Sequence, residues 1–158
     1  MDKLIVGIAD GKIARKNQIL VSYAIGSCVG VCLYDKQKQI AGMVHIVLPG
    51  GEIFMKQANP YKFADQGIRK LIQEMVRYGA DPYRLTAKIA GGANMFQNNH
   101  ATWEIGARNI EAVKKTLLDE KIYIAAEDIG KNYGRTIFFF SEDGKLEIHT
   151  ARKQTVIL

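Results

Sequence analysis

Eight short segments rich in β-branched and aromatic residues, against only two with helical periodicity, constrain this chain more than anything else in it. The strand-like segments are Leu4 to Ala9, Ile19 to Tyr23, Cys28 to Tyr34, Ile40 to Leu48, Leu85 to Ala90, Ile122 to Ala126, Thr136 to Phe140 and Lys145 to Thr150. Ser141-Glu142-Asp143-Gly144 supplies a turn between the last two and predicts a hairpin. From Lys62 to Tyr78, Ile68, Leu71, Ile72, Met75 and Val76 fall on one helical face. Asn59-Pro60 reads as the cap and first turn of that helix, and Gly79 as its stop. A second helix runs from about Glu104 to Glu120, with Ile110, Val113 and Leu117 inward and Thr102 as N-cap. Runs of strands interrupted by two separate helices predict an α/β (α+β) protein of mixed α and β layers rather than a regularly alternating doubly wound fold. With 158 residues, three prolines and no linker or repeat, residues 1–158 read as a single domain.

Charge and hydropathy narrow the class of function. Lys and Arg outnumber Asp and Glu by 22 to 16, but the basic residues are scattered and form no block. No nucleic-acid module accompanies them, so the excess is read as a solvated surface that favours acidic partners, not as a nucleic-acid footprint. No apolar run approaches a membrane span. Leu4 to Ala9 is too short for a signal-peptide core and has Asp2 ahead of it, which predicts a cytoplasmic protein whose thiols stay reduced.

Both cysteines lie in Ala24-Ile25-Gly26-Ser27-Cys28-Val29-Gly30-Val31-Cys32. Four residues of strand span roughly 13 Å, too far for a disulfide, which needs Cα atoms within about 7 Å. His45, His100 and His149 stand apart from one another, and a lone pair of cysteines at this spacing is no zinc signature. Cys32, inside Val31-Cys32-Leu33, reads as a small buried hydrophobe. Cys28 follows Gly26-Ser27, a flexible step whose backbone amides can face a developing oxyanion, so it is the candidate nucleophile.

A thiol nucleophile needs a base. If Cys28–Tyr34 and Ile40–Leu48 form a hairpin, Val29, Val31 and Leu33 share a face with Ile40, Val44 and Ile46 only when paired positions sum to an odd number. A four-residue loop, Asp35-Lys36-Gln37-Lys38, meets that condition and places Cys28 directly opposite His45, with Cβ atoms roughly 5 Å apart. The competing reading makes His45 an ordinary half-buried histidine. Ser22, in the preceding strand, is the nearest polar residue able to orient the imidazole. Gly91-Gly92-Ala93-Asn94-Met95-Phe96 reads either as a packed turn or as a substrate lip. Phe138-Phe139-Phe140 must send at least one ring away from the core, and a second layer is expected there.

These residues resemble the CheD family of chemotaxis proteins, the chemoreceptor glutamine deamidases. That family commonly shows Thr-x-Gly-Leu-Gly-Ser-Cys-Val and then Met-x-His-x-x-Leu-Pro. Here the segments are Ser22-Tyr23-Ala24-Ile25-Gly26-Ser27-Cys28-Val29 and Met43-Val44-His45-Ile46-Val47-Leu48-Pro49. Further matches are Lys62-Phe63-Ala64-Asp65, Gly91 to Phe96, Ile105-Gly106-Ala107-Arg108-Asn109, and Glu127-Asp128 leading to Gly134-Arg135. The resemblance implies hydrolysis of glutamine side chains on chemoreceptor cytoplasmic helices to glutamate, with release of ammonia. It puts the nucleophile on Cys28, the general base on His45 and the third member on Ser22, where threonine is usual; Ala24 stands where glycine is usual. It implies layered, mixed β-sheets, β-sandwich-like, with two helices packed outside, distantly like toxin deamidase domains. It also implies a CheC-type phosphatase as partner, with no metal, no organic cofactor, no nucleic acid and no membrane insertion. Backbone amides of Gly26 and Ser27 are the expected oxyanion donors. The alternative is a non-catalytic module that docks on chemoreceptors or the phosphatase.

Overall fold

The computed structural model of the chain describes the backbone of residues 1–51, 59–95 and 100–158, and their side chains apart from residues 100–104. In chain order the elements are β1 (Lys3–Ile5), β2 (Gly11–Ala14), β3 (Ile19–Ile25), β4 (Val29–Asp35), β5 (Ile40–Ile46), α1 (Ala64–Arg77), β6 (Thr86–Gly91), α2 (His100–Asp119), β7 (Tyr123–Ile129), β8 (Arg135–Phe140), β9 (Leu146–Thr150) and β10 (Thr155–Ile157). Each of the eight expected segments contains a strand, but the first ends at Ile5, where expectation ran to Ala9, because Ile8 and Ala9 form a turn with Ala9 at φ +58°. The two additional ones, β2 and β10, are three- or four-residue edge strands that owe their form to their neighbours β5 and β9.

The strands form two mixed five-stranded sheets, ordered β1-β3-β8-β9-β10 and β2-β5-β4-β6-β7. Each has one parallel pair, β1 with β3 and β6 with β7, and α2 makes the crossover for the second. Leu20, Ile25, Cys32, Met43, Ile137, Phe139 and Ile148 interdigitate between the sheets. On the far side of the second sheet, Val29, Val31, Leu33, Val44 and Ile46 pack against Ile68, Leu71 and Met75 of α1 and Val113 and Leu117 of α2. The layers are therefore helices, sheet and sheet, with both helices on one outer face. All seven residues of β4 are buried because β4 is covered on both faces, which is why it carries no charged residue before Asp35 at its end.

The β4–β5 hairpin keeps the expected odd-sum parity and gathers the aliphatic set on one face, but its register is two residues from expectation. Asp35 pairs with Ile40, and the loop is Lys36 to Gln39. His45 consequently lies opposite Gly30, not Cys28. The reason is the Asp35 carboxylate. It is buried, takes a two-pronged contact from Arg84 (Nε 3.0 Å, Nη2 2.9 Å) and accepts the amides of Gln37, Lys38 and Asp81. Those partners hold Asp35 as the last strand residue, where a surface turn would have released it.

The helices depart from expectation at their ends. Asn59 caps a separate 3-10 turn, Pro60–Lys62, and α1 begins only at Ala64, behind Phe63. Val76 is exposed, so the buried stripe narrows to Ala64, Gly67, Ile68, Leu71 and Met75. Gly79, at φ +112°, ends the helix as expected. Since α2 starts at His100, Thr102 lies inside it and is not its N-cap; its side chain is outside the described residues. Of the three phenylalanines, Phe139 faces the other sheet. Phe138 and Phe140 point outward, where lysine side chains (Lys3 and Lys145) lie over their rings in place of a second layer.

Candidate active site

The approach to Cys28 begins with a break in β3. Pairing with β8 runs regularly to Ser22 and resumes only at Ile25, and Ala24 in between takes φ +54°. An L-residue held there costs about 1 kcal/mol, which the usual glycine of the family pattern would not incur. The bulge releases Gly26, Ser27 and Cys28 from the ladder. Their carbonyls are all engaged: Gly26 accepts from the Ala93 amide (3.0 Å), Ser27 from Asn109 Nδ2 (3.0 Å) and Cys28 from the Gly92 amide (2.7 Å). Among the described residues, no acceptor is paired with the amides of Gly26 and Ser27, and the Cys28 amide lies against its own sulfur. That arrangement leaves unpaired N–H groups immediately ahead of the cysteine.

His45 Nδ1 lies 2.9 Å from Ser22 Oγ, and the same oxygen lies 2.8 Å from the carbonyl oxygen of Val6. A carbonyl can only accept, so the single hydroxyl hydrogen of Ser22 goes to Val6. Toward His45 the hydroxyl can then only accept, which puts the imidazole proton on Nδ1. Nε2 is left with its lone pair, and it is buried with no hydrogen-bond partner. The main chain of His45 is tied down as well, through its amide to Asp10 and its carbonyl to the amide of Ala9. Ser22 and His45 are 0% and 1% exposed, whereas Cys28 is half-buried, so the three groups descend inward from the surface.

Cys28 packs against the inter-sheet cluster, the side of the second sheet to which His45 also points. Between them on that face lies Gly30, which has no side chain, so His45 and Cys28 occupy diagonal positions with Ile137 packed against the glycine between them. A Cβ on Gly30 would come within 2.5 Å of Ile137 Cδ1. No hydrogen bond joins sulfur to Nε2 in this state. Burial pushes the Cys28 thiol up, opposed by its own backbone amide, and burial pushes His45 down. Both shifts favour the uncharged forms, thiol and imidazole, over the ion pair. From those forms the proton moves as a new bond forms at sulfur. Cys32 is fully buried and its thiol is pushed far up by burial.

The Gly91–Met95 segment is the floor of this loop rather than a detached turn. Gly91 takes φ +123°, and a Cβ there would collide with the Cys28 carbonyl oxygen and approach Ile25 Cγ2 to 2.8 Å. Met95 lies over Gly26 and is 43% exposed, Tyr23 on the bulge is 51% exposed, and a groove of about 440 Å³ runs between them past Arg135. Phe96 lies outside the described residues. Among the described residues, no group of three or more His, Cys, Asp and Glu is arranged to hold a metal ion. No helix of the described residues is long and apolar enough to cross a membrane.

Asn109 was not singled out for a role by its sequence. A signal was present, because it aligns with Val113 and Leu117 on the buried stripe of α2, and a polar residue on such a stripe needs buried partners. The Val6 carbonyl has no sequence signal at all.

Fold and site together define a mixed α/β sandwich in which one reachable thiol sits above a buried, hydroxyl-held imidazole. Comparison with known proteins is in keeping with that class. Residues 47–150 match the family model described as CheD chemotactic sensory transduction. The probable chemoreceptor glutamine deamidase CheD of Caldanaerobacter subterraneus subsp. tengcongensis is 49% identical over 147 residues, covering 92% of this chain and 91% of that protein. Proteins of the same name from Clostridium novyi and Thermococcus kodakarensis are 44% and 39% identical, over 94% and 96% of this chain and 93% and 95% of theirs. The chain belongs to the CheD family. Of solved structures, Bacillus licheniformis YfiH superposes with a TM-score of 0.49 at 16% identity, over 75% of this chain and 49% of that one. Ser22, Cys28 and His45 precede the stretch matched by the family model.

Proposed function

We propose that this protein is a chemoreceptor glutamine deamidase, a protein-glutamine glutaminase in which Cys28 is the nucleophile, His45 the general base and acid, and Ser22 the residue that orients the imidazole. The observation that carries the reading is the hydrogen bond from Nδ1 to a hydroxyl whose own hydrogen is committed to Val6, because it leaves Nε2 unprotonated on the side of the sheet against which Cys28 also packs. The curated relatives, named as probable deamidases over more than nine-tenths of this chain, support the reaction class.

Nε2 takes the Cys28 proton as sulfur attacks Cδ of the substrate glutamine. The carbonyl π pair moves to oxygen, and the oxyanion is held by the amides of Gly26, Ser27 and Cys28. Nε2–H then protonates the amide nitrogen, the C–N bond breaks and ammonia leaves a thioester. Water gives a proton to Nε2 and its oxygen to Cδ; the thiolate leaves and recovers that proton, and the side chain is released as glutamate. The scheme uses only the chain's own groups. Its substrate is the helical cytoplasmic region of chemoreceptors, its setting the cytoplasm, its partner a CheC-type phosphatase, and its working unit one domain spanning residues 1–158.

Incubation with a purified chemoreceptor cytoplasmic fragment, read by peptide mass spectrometry and ammonia release, tests the function. Conversion of specific glutamines to glutamates in step with ammonia is expected. A receptor fragment bound by the protein but chemically unchanged would favour the docking-module alternative instead.

A further inference from the structure

Beyond the strand ends, the β4–β5 ladder stops one pair short of Cys28. Continuing the register, Cys28 would face Val47, yet neither belongs to a strand. What spans that gap is a side chain from a different layer. Asn109 of α2, 0% exposed, donates from Nδ2 to the carbonyl oxygen of Ser27 at 3.0 Å and to that of Val47 at 2.9 Å. Ser27 immediately precedes Cys28, and Val47 is two residues from His45. One amide group thus joins the loop carrying the thiol to the strand carrying the base.

The orientation of the amide follows from its partners. Two carbonyl oxygens need two N–H donors, and a flipped carboxamide would set oxygen against oxygen. Asn109 Oδ1 is buried and has no hydrogen-bond partner. A side chain chosen for packing alone would not leave a buried acceptor empty, since that is costly. The helix can come this close because Gly106, one turn earlier, has no Cβ to strike the carbonyl oxygens of Gly92 and Ala93, which would lie 2.7 and 2.6 Å away.

We infer that Asn109 is a positioning residue for the deamidation reaction, setting the separation of Cys28 from His45 by clamping the Ser27 and Val47 carbonyls. The inference rests on the Cys28–His45 reading above. No hydrogen bond joins the thiol to the imidazole, so their spacing comes from the scaffold that carries them. Displacement of a reacting group by about 1 Å costs on the order of 10²-fold in rate.

The test compares Asn109→Ala and the isosteric Asn109→Asp with wild type, His45→Ala and Val113→Ala, which truncates a buried side chain on the same helix without touching the loop. Two quantities are read at a temperature where circular dichroism shows every protein folded: kcat and KM on the receptor fragment, and the pH profile of Cys28 alkylation by iodoacetamide. For both Asn109 variants, kcat is expected to fall by about 10²-fold with KM within a few-fold of wild type. Their alkylation profiles should lose the limb that His45→Ala also loses. Val113→Ala should melt earlier yet keep the wild-type kcat and profile. Asn109 variants that retain the histidine-dependent limb and the wild-type kcat, or a Val113→Ala that loses both, overturn the positioning role. A wild-type profile already identical to that of His45→Ala overturns the Cys28–His45 reading itself, and is distinguishable because it appears before any change at Asn109.

Discussion

At the scale of single residues, the Ser22 hydroxyl makes two hydrogen bonds, and its removal is read separately in stability and in rate. Ser22→Ala strands the Val6 carbonyl and the Nδ1–H of His45 inside the protein, which should cost about 1–3 kcal/mol by urea denaturation. It also frees the imidazole to carry its proton on Nε2, and kcat for receptor deamidation should fall about 10²-fold or more. Ser22→Thr keeps the hydroxyl and adds a β-branch that limits its rotamers, so it should hold at least wild-type kcat. A Ser22→Ala protein with unchanged kcat would remove the hydroxyl from the mechanism. Cys28 could be picked out in the sequence from the Gly26-Ser27 step before it, and His45 and Ser22 as polar residues in apolar strands. The tautomer could not be, because it depends on a carbonyl 16 residues away that any side chain at position 6 would supply.

Elements place those residues, and here the decisive contacts are between backbones. The Gly91–Ala93 segment donates two amides to the carbonyls of Gly26 and Cys28 and leaves no space for a Cβ at Gly91. Gly91→Ala should therefore destabilise by more than about 2 kcal/mol through a positive φ and a backbone collision together. It should also depress Cys28 alkylation in whatever folded fraction remains. Gly7→Ala meets nothing within 4 Å and should leave both stability and alkylation unchanged. Equal effects from the two would mean that the floor of the loop is not what holds Cys28. Parity was legible along β4 and β5 because each has an aliphatic face. Absolute register was not, because it turns on Asp35 reaching Arg84 and Asp81, more than forty residues away. The edge strands β2 and β10 were equally silent, since neighbours and not pattern make them strands.

For the whole molecule, buried ionisable groups on both sides of neutrality predict a bounded pH range of stability. His45 is held below its ordinary value by burial, so the unfolded chain binds its proton more readily. Stability is complete above about pH 6.5 and declines as pH falls through that value toward the folded pKa. Asp35 adds a second acid limb. Burial alone would raise its pKa, but the Arg84 fork and the amides of Asp81 and Lys38 pull it below the usual carboxylate range, so its contribution is lost below about pH 4. Cys28 and Cys32 are both pushed up by burial, and the unfolded chain loses those protons first, which removes stability above about pH 8.5. Urea midpoints across pH should show a plateau between about 6.5 and 8.5 with a two-stage acid decline. His45→Ala should erase the first stage only; a first stage that survives it would assign the effect to another group. The layered architecture was legible from the strand and helix pattern. The placement of both helices on one face was not, because it depends on which sheet offers two aliphatic faces.

The central claim is that one of two cysteines, four residues apart in the same segment, carries the chemistry. Deamidation of the receptor fragment by Cys28→Ala and by Cys32→Ala tests it most directly, with glutamine-to-glutamate conversion counted by peptide mass spectrometry. Cys28→Ala should be folded and inactive. Cys32→Ala, which removes a sulfur from between the sheets, should lose about 1–2 kcal/mol of stability and keep its activity. Conversion by Cys28→Ala at the wild-type rate would contradict the account.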